Sequence, residues 1–387
     1  MSAMASLFYR FAGFHSLLIG LLPFYIPILL WQQGYRLTEI SLFIAITGVG
    51  FIIAMSGWKA LYKKTHFHTL LIASFVTELL LVSSLIADQS MTVLVIAALL
   101  NGVYNCFYWI TQRTMFSALT IEQAQNNTGK HYGNFQIVIV VLLKVGILIG
   151  GYLLAQELLY GLLIISGVLS VFAMLVLPKN SYNKELEVTK NDSALDWKRK
   201  IVFWSDGVFL FFESYFWILT LYFITDNNVM DLGLLVVGLT VILSFVFWLI
   251  KNKIDSLNQY YVFYAAVLLY AVSWGLRGFV NAQQEEYVLF INIMIIAFLT
   301  SFFRLSFNKL FFDDANKKRP LDFILTKSYL SQSGIVVFFS LLAGIITMMG
   351  EEHITLNLFY WCVTPMAILY ALYPISRQSL TLECHHD

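Results

Sequence analysis

The sequence predicts an all-α polytopic membrane protein whose twelve transmembrane helices form two six-helix bundles. Three observations lead there. The chain is 59% hydrophobic and 12% charged over 387 residues, with a mean hydropathy of +0.74, more apolar material than a soluble core of this size uses. The apolar residues come in stretches of about 20, the length a helix needs to cross a hydrocarbon layer about 30 Å thick. Lys and Arg gather in every second break between those stretches, the pattern that the positive-inside bias produces.

The first stretch, 11–33, follows Arg10 and holds Pro23 and Pro27 with no A-x-A-like cleavage site. It reads as a retained helix kinked by its prolines, not as a signal peptide. Stretches 38–58, 67–87, 91–116, 132–155 and 158–177 follow. Gln156-Glu157 is the slightest break, but without it the run is too long for one crossing. The second half reads 201–225, 229–250, 260–281, 287–312, 322–349 and 354–376. Lys59, Lys63 and Lys64 follow span 2, and Arg113 and Lys130 flank the loop after span 4. Lys179, Lys184, Lys190, Lys198, Arg199 and Lys200 fill the loop after span 6. Lys251 and Lys253 follow span 8, Lys309 and Lys317–Arg319 follow span 10, and Arg377 follows span 12. The alternate loops carry Glu39, Asp88, Glu157, Asp226, Asp231, Glu285, Glu286, Glu351 and Glu352, with Arg36 as their only base. Both termini are therefore expected in the cytoplasm, with the chain in the cell inner membrane. The alternation would fail if one helix were missed or invented, so it supports the count of twelve.

Net charge is +1, which offers nothing to nucleic acid. Cys106, Cys362 and Cys384 form no CxxC pair, so neither a disulfide frame nor a structural zinc site is expected. No Walker string is present, which removes ATP as a direct energy source. No cofactor is expected, and a monomer is.

The two halves share a rhythm. A short basic loop follows the second helix of each, 59–64 and 251–255, and a longer one follows the fourth. The string 107–116 lies opposite 302–311 with the same aromatic character. The domains predicted are an N-terminal bundle over 1–178, a linker over 179–200, a C-terminal bundle over 201–376 and a tail over 377–387. Two such halves joined by a cytoplasmic linker are a hallmark of alternating-access carriers.

On these features the chain resembles the major facilitator superfamily over its whole length. The motifs are degenerate. Where the family often has G-x-x-x-D-[RK]-x-G-[RK]-[RK] after helix 2, this chain has Gly57-Trp-Lys-Ala-Leu-Tyr-Lys-Lys64, with Leu61 at the acidic position. Where antiporters often have G-x-x-x-G-P-x-x-G-G in helix 5, it has Gly146-Ile-Leu-Ile-Gly150-Gly151 without the proline. The resemblance implies a secondary transporter, with helices 1, 4, 7 and 10 around a central cavity and a slight lean towards export.

Ionisable groups in the apolar spans are the leads to function, because each costs roughly 2.5–3.5 kcal/mol at a bilayer centre. Asp206 and Glu213 lie seven apart on one face of span 7, in line with Trp217 and Thr220. Glu213 is expected to couple transport to protons, since a carboxyl in low dielectric can cycle between protonation states. Asp206 shares that role or pairs with Lys198 or Arg199. Asn101, Asn105, Tyr108 and Gln112 form a polar face on span 4 that lines water or bonds a neighbouring helix. Opposite it, span 10 offers Thr300, Arg304 and Asn308, with Arg304 either facing inward or snorkelling. Gln136 and Lys144 share a face of span 5, and Glu213 is the economical partner for Lys144 on the fold resemblance. Glu78 in span 3 is a coupling group or a structural bond. His15 in span 1 titrates near neutral pH or simply packs. Arg277 is placed near the outer end, meeting headgroups or Glu285 and Glu286.

The function expected is proton-coupled alternating-access transport of a small amphipathic or zwitterionic organic solute. The rival is an intramembrane prenyltransferase-type enzyme using Asp313 and Asp314, which lacks a second acidic cluster. A tail site at Cys384–Asp387 is a weaker metal candidate, and no metal or catalytic site is assigned.

Overall fold

In a computed structural model, the backbone is described for residues 3–64, 67–87, 90–122, 128–177, 196–255, 259–281, 283–317, 320–350 and 355–373. Within them the chain is helical and no strand occurs. The twelve spans are α1 (Ser6–Gln32), α2 (Leu37–Lys64), α3 (Phe67–Ile86), α4 (Met91–Glu122), α5 (Thr128–Ala155) and α6 (Leu159–Val176) in one half. In the other are α7 (Trp197–Ile224), α8 (Val229–Asp255), α9 (Gln259–Phe279), α10 (Glu286–Lys317), α11 (Pro320–Met349) and α12 (Leu356–Leu372). Ten hold windows long and apolar enough to cross a membrane by length and composition. The apolar parts of α5 and α12, Ile139–Ala155 and Leu356–Leu372, are shorter. Residues 178–195, which hold most of the predicted 179–200 linker, and residues 374–387, which hold the predicted tail and its weak metal candidate at Cys384–Asp387, lie outside the described residues.

Local chemistry explains the interruptions. Pro23 and Pro27 cannot donate to the helical ladder, and α1 is broken there by a 3-10 turn over Pro23–Tyr25. The Tyr25 hydroxyl it presents donates to the Ile147 carbonyl of α5 at 2.7 Å. Pro365 stands at the start of the 3-10 turn, Thr364–Leu372, that finishes α12. The third interruption is a π-helical turn over Phe212–Phe216 in α7, and the sequence shows no proline there.

The two halves repeat one packing plan. α1 packs on α5 as α7 packs on α11, and α3 packs on both α4 and α6 as α9 packs on α10 and α12. Glycines set the closest seams. A Cβ at Gly20 or Gly146 would collide with the Leu143 or Leu17 carbonyl, and one at Gly207 or Gly334 with the Ser331 or Trp204 carbonyl. Gly146 and Gly150 of the half-motif both sit where α5 meets the backbone of α1, the small-xxx-small approach of membrane helices. Between the halves, α2 packs on α11 and α5 on α8. That exchange of partners is the signature of a two-fold between the bundles.

Polarity is inverted relative to a soluble protein. Ile53, Val241, Leu341, Leu175 and Met348 are exposed, Met348 at 88%. His15, Glu78, Asp206, Arg277 and Lys327 are buried. An apolar exterior with charges inside is what a hydrocarbon solvent demands.

Candidate functional site

Among the described residues, the largest cluster of ion pairs lies in the second half. Asp206 on α7 is 1% exposed. Its Oδ1 accepts from Arg304 Nη1 at 2.7 Å and from the Tyr370 hydroxyl at 2.7 Å, and Lys327 Nζ lies 2.6 Å from its Oδ2. Glu213, in the π turn, accepts from the Tyr270 hydroxyl at 2.6 Å and from Arg304 Nε at 3.1 Å. Arg304 also donates to the Tyr270 hydroxyl at 3.1 Å. Two carboxylates and two cations from α7, α10 and α11 thus balance, tied by tyrosines of α9 and α12. π turns recur at functional sites because the extra residue re-aims a side chain, and this one carries Glu213.

Asp206 and Glu213 do share a face, and Arg304 points inward to meet both. Asp206 does not pair with Lys198 or Arg199: Arg199 pairs with Asp314 at 3.1 Å instead. Glu213 does not pair with Lys144, which is half-buried on α5 and has no carboxylate within 4 Å among the described residues. Arg304 sits closer to Glu213, on the same bundle, and so wins. Trp217 and Thr220 turn away from the cluster, Thr220 bonding the Tyr360 hydroxyl of α12 at 2.6 Å. Lys327, Tyr270 and Tyr370 are members that sequence reasoning passed over. The signal available was Lys327 itself, a lone base seven residues into α11.

The first half holds a second site. His15 of α1 and Glu78 of α3 are 0% and 1% exposed, with Nδ1 2.8 Å from Oε2. Ser74 Oγ donates its one proton to the Leu71 carbonyl at 2.7 Å. It must therefore accept from His15 Nε2, 2.8 Å away. That leaves one proton to share between Nδ1 and Oε2, as His15 with a protonated Glu78 or as imidazolium with carboxylate. Phe75 stacks on the imidazole at 4.0 Å, and Tyr108 and Tyr104 close the shell.

The polar face of α4 turns inward. Asn101 Nδ2 donates to Thr47 of α2 at 3.2 Å and to the Tyr215 hydroxyl of α7 at 3.1 Å, crossing between the halves. Asn105 donates to Asn101, Trp109 to Asn105, and Gln112 to Tyr108. Gln136 lies within α5, and its side chain is outside the described residues. Where α1 and α7 finish, Gln32 donates to the Tyr222 hydroxyl at 3.0 Å and Trp31 meets Phe223. At the end where α1 begins, Phe116 of α4 meets Phe312 of α10 edge-on. There a groove of about 430 Å³ opens between α2 and α11, lined by Trp58, Lys59, Lys63, Asp322 and Tyr329 among others. Leu61 occupies the motif's acidic position, and the acid at this groove comes from the other half, as Asp322 in the first turn of α11.

No protein-family model matches the sequence, and no curated protein does. Solved structures do match. The nucleoside transporter NupG aligns with a TM-score of 0.66 at 13% identity, over 97% of this chain and 100% of that one. A single-substitution mutant of NupG aligns at 0.65 and 11%, over 96% and 100%. The chain has the major facilitator fold.

Asp314, half of the rival enzyme reading, is committed elsewhere. It pairs with Arg199 and accepts from the Tyr373 hydroxyl at 2.9 Å, a clasp joining α10 with the start of α7 and the end of α12. Among the described residues no group of three His, Cys, Asp or Glu is placed to hold a metal.

Proposed function

We propose that the protein is a secondary active transporter that moves a small amphipathic or zwitterionic organic solute by alternating access, coupled to protons. The observation that carries this is how the halves meet. Broad seams at α2–α11 and α5–α8 flank a line of separable side-chain contacts between the halves, among them Asn101–Tyr215, Phe43–Tyr215, Gln32–Tyr222, Trp31–Phe223 and Phe116–Phe312. Such contacts can break and reform as one bundle rocks on the other. The likeness to a nucleoside transporter supports the same reading and makes nucleosides reference solutes for assay. The clasp at Asp314 disfavours the prenyltransferase reading, because that carboxylate is already spent on an arginine and a tyrosine. The direction we propose is export, on the α5 glycine half-motif.

We place the coupling proton at His15–Glu78. Glu213, the group expected from sequence, is tied to Arg304 at 3.1 Å and to the Tyr270 hydroxyl at 2.6 Å. The His15–Glu78 pair shares a proton, and among the described residues no lysine or arginine lies within 4 Å of the carboxyl. Lys144, the Asn101–Gln112 face and the Asp206–Arg304 cluster are assigned to the solute path.

Metabolite profiles of cells lacking and overproducing the protein test the transport reading. At least one small organic solute is expected to shift in opposite directions between cells and medium in the two strains; no reciprocal shift sinks it. The charge alternation of the loops supports a cytoplasmic position for both termini. Reporter fusions after Asn191 and at the C-terminus are both expected to read cytoplasmic, and opposite signals overturn the two-half topology.

A further inference from the structure

Arg277 of α9 is 1% exposed, and among the described residues no carboxylate lies within 4 Å of it. Neutral groups hold it. Nη1 donates to Ser273 Oγ at 3.1 Å and Nη2 to Thr300 Oγ1 of α10 at 2.8 Å. The guanidinium carbon lies 4.2 Å from the ring centroid of Trp274 and 5.0 Å from that of Trp217. Its Nε has no acceptor, and neither has the buried indole Nε1 of Trp274. One positive charge and two N–H donors are therefore unmatched at one place.

Sequence position puts Arg277 at the helix end, among headgroups. The structure corrects this. α10 begins at Glu286, fourteen residues before the Thr300 that holds Arg277, which is about 21 Å of helix. The guanidinium is too deep to reach a headgroup. The surrounding carboxylates are also taken: Asp206 and Glu213 are balanced by Lys327 and Arg304. Glu213 acts on Arg277 electrostatically but is already bound by Arg304, so within the set Asp206, Glu213, Arg304, Lys327 and Arg277 one positive charge is in excess. Ring faces offset part of the cost of burying it, but a buried charge without a counter-ion is among the most expensive groups a protein holds.

We propose that Arg277, with Thr300 and Trp274, is the anion-recognition site for the transported solute, which carries a carboxylate or phosphate group beside a planar apolar part. This rests on the transporter reading and names its substrate class. The anionic group takes the free donors, Nε of Arg277 and Nε1 of Trp274, and the planar part packs on an indole face. Trp217 links the site to α7, whose Tyr215 reaches α4 across the centre. The site is closed in this conformation, so the solute enters when α7 shifts against α9, and the π turn over Phe212–Phe216 ends immediately before Trp217.

The test is equilibrium binding of radiolabelled benzoate to the purified full chain in detergent at low salt, with phenyl phosphate and neutral benzamide as competitors. Saturable benzoate binding is expected, displaced by phenyl phosphate and at least tenfold less well by benzamide. Arg277→Lys, which keeps the charge but loses the planar fork, is expected to bind at least tenfold more weakly. Arg277→Gln is expected to lose the preference for anions. The proposal is overturned if the parent shows no saturable binding, if benzamide competes equally, or if either variant binds as the parent does. Should Arg277→Gln fail to fold, the parent and Arg277→Lys still decide. Binding in detergent needs no gradient. Anion binding without a reciprocal metabolite shift leaves this site standing and removes the transport reading, and the converse removes the site alone.

Discussion

Glu78→Gln is expected to abolish uphill accumulation in proteoliposomes under an imposed pH gradient, while insertion and solute exchange survive. With one proton moved per solute, a gradient of one pH unit supports about tenfold accumulation, and the variant should fall to simple equilibration. Gln has nearly the shape of Glu and its amide can donate to His15 Nδ1, 2.8 Å away in the parent. The bond survives; the titratable proton does not. Because protonation drives transport only when it is linked to solute binding, removing it uncouples the cycle without closing it. Glu213→Gln is the contrasting variant. Its carboxylate is held by Arg304 and Tyr270, so its replacement should weaken folding or solute affinity before it touches proton stoichiometry. If Glu78→Gln concentrates solute as the parent does, the His15–Glu78 pair is structural and the coupling proton lies elsewhere.

The fold was legible because lipid imposes simple rules. Every backbone polar group must be satisfied within its own helix, so apolar length and loop charge report the spans directly, and Gln156-Glu157 does separate α5 from α6. The cluster was legible in part. Asp206, Glu213 and Arg304 stand out because a charge in an apolar span is rare. Their pairing was not legible, since it depends on helix rotation and tilt. Lys144 looked like a partner for Glu213 by depth alone, yet α10 delivers Arg304 to the same carboxylate from within its own bundle. Tyr270 and Tyr370 were hidden among 21 tyrosines; only the packing of α9 and α12 against α7 selects them. Arg277 misled for a geometric reason: α10 extends well beyond the end of α9, so a residue two from its helix end lies deep in the bundle.

The second large effect is expected at Arg304. Arg304→Met leaves Asp206 with Lys327 but strands Glu213 with only the Tyr270 hydroxyl. Breaking a fully buried pair by removing one partner costs about 3–5 kcal/mol, and this bridge, with both side chains 16% exposed, should cost somewhat less. A large drop in thermal unfolding midpoint and in folded yield should follow in detergent. Adding Glu213→Gln to that variant removes the stranded charge, and the remaining Asp206–Lys327 pair is balanced. The double variant should therefore be more stable than Arg304→Met alone, although Glu213→Gln in the parent is destabilising. That reversal of sign is the measurable coupling of a double-mutant cycle. Additive losses would show that Arg304 and Glu213 act independently despite their 3.1 Å contact. The double variant also separates structure from transport. If it folds, keeps the Asp206–Lys327 pair and still moves solute, the Arg304–Glu213 bridge is scaffolding for α7 and α10. If it folds and transport is lost, the bridge belongs to the solute path, where its charges must part and re-form as the bundles rock.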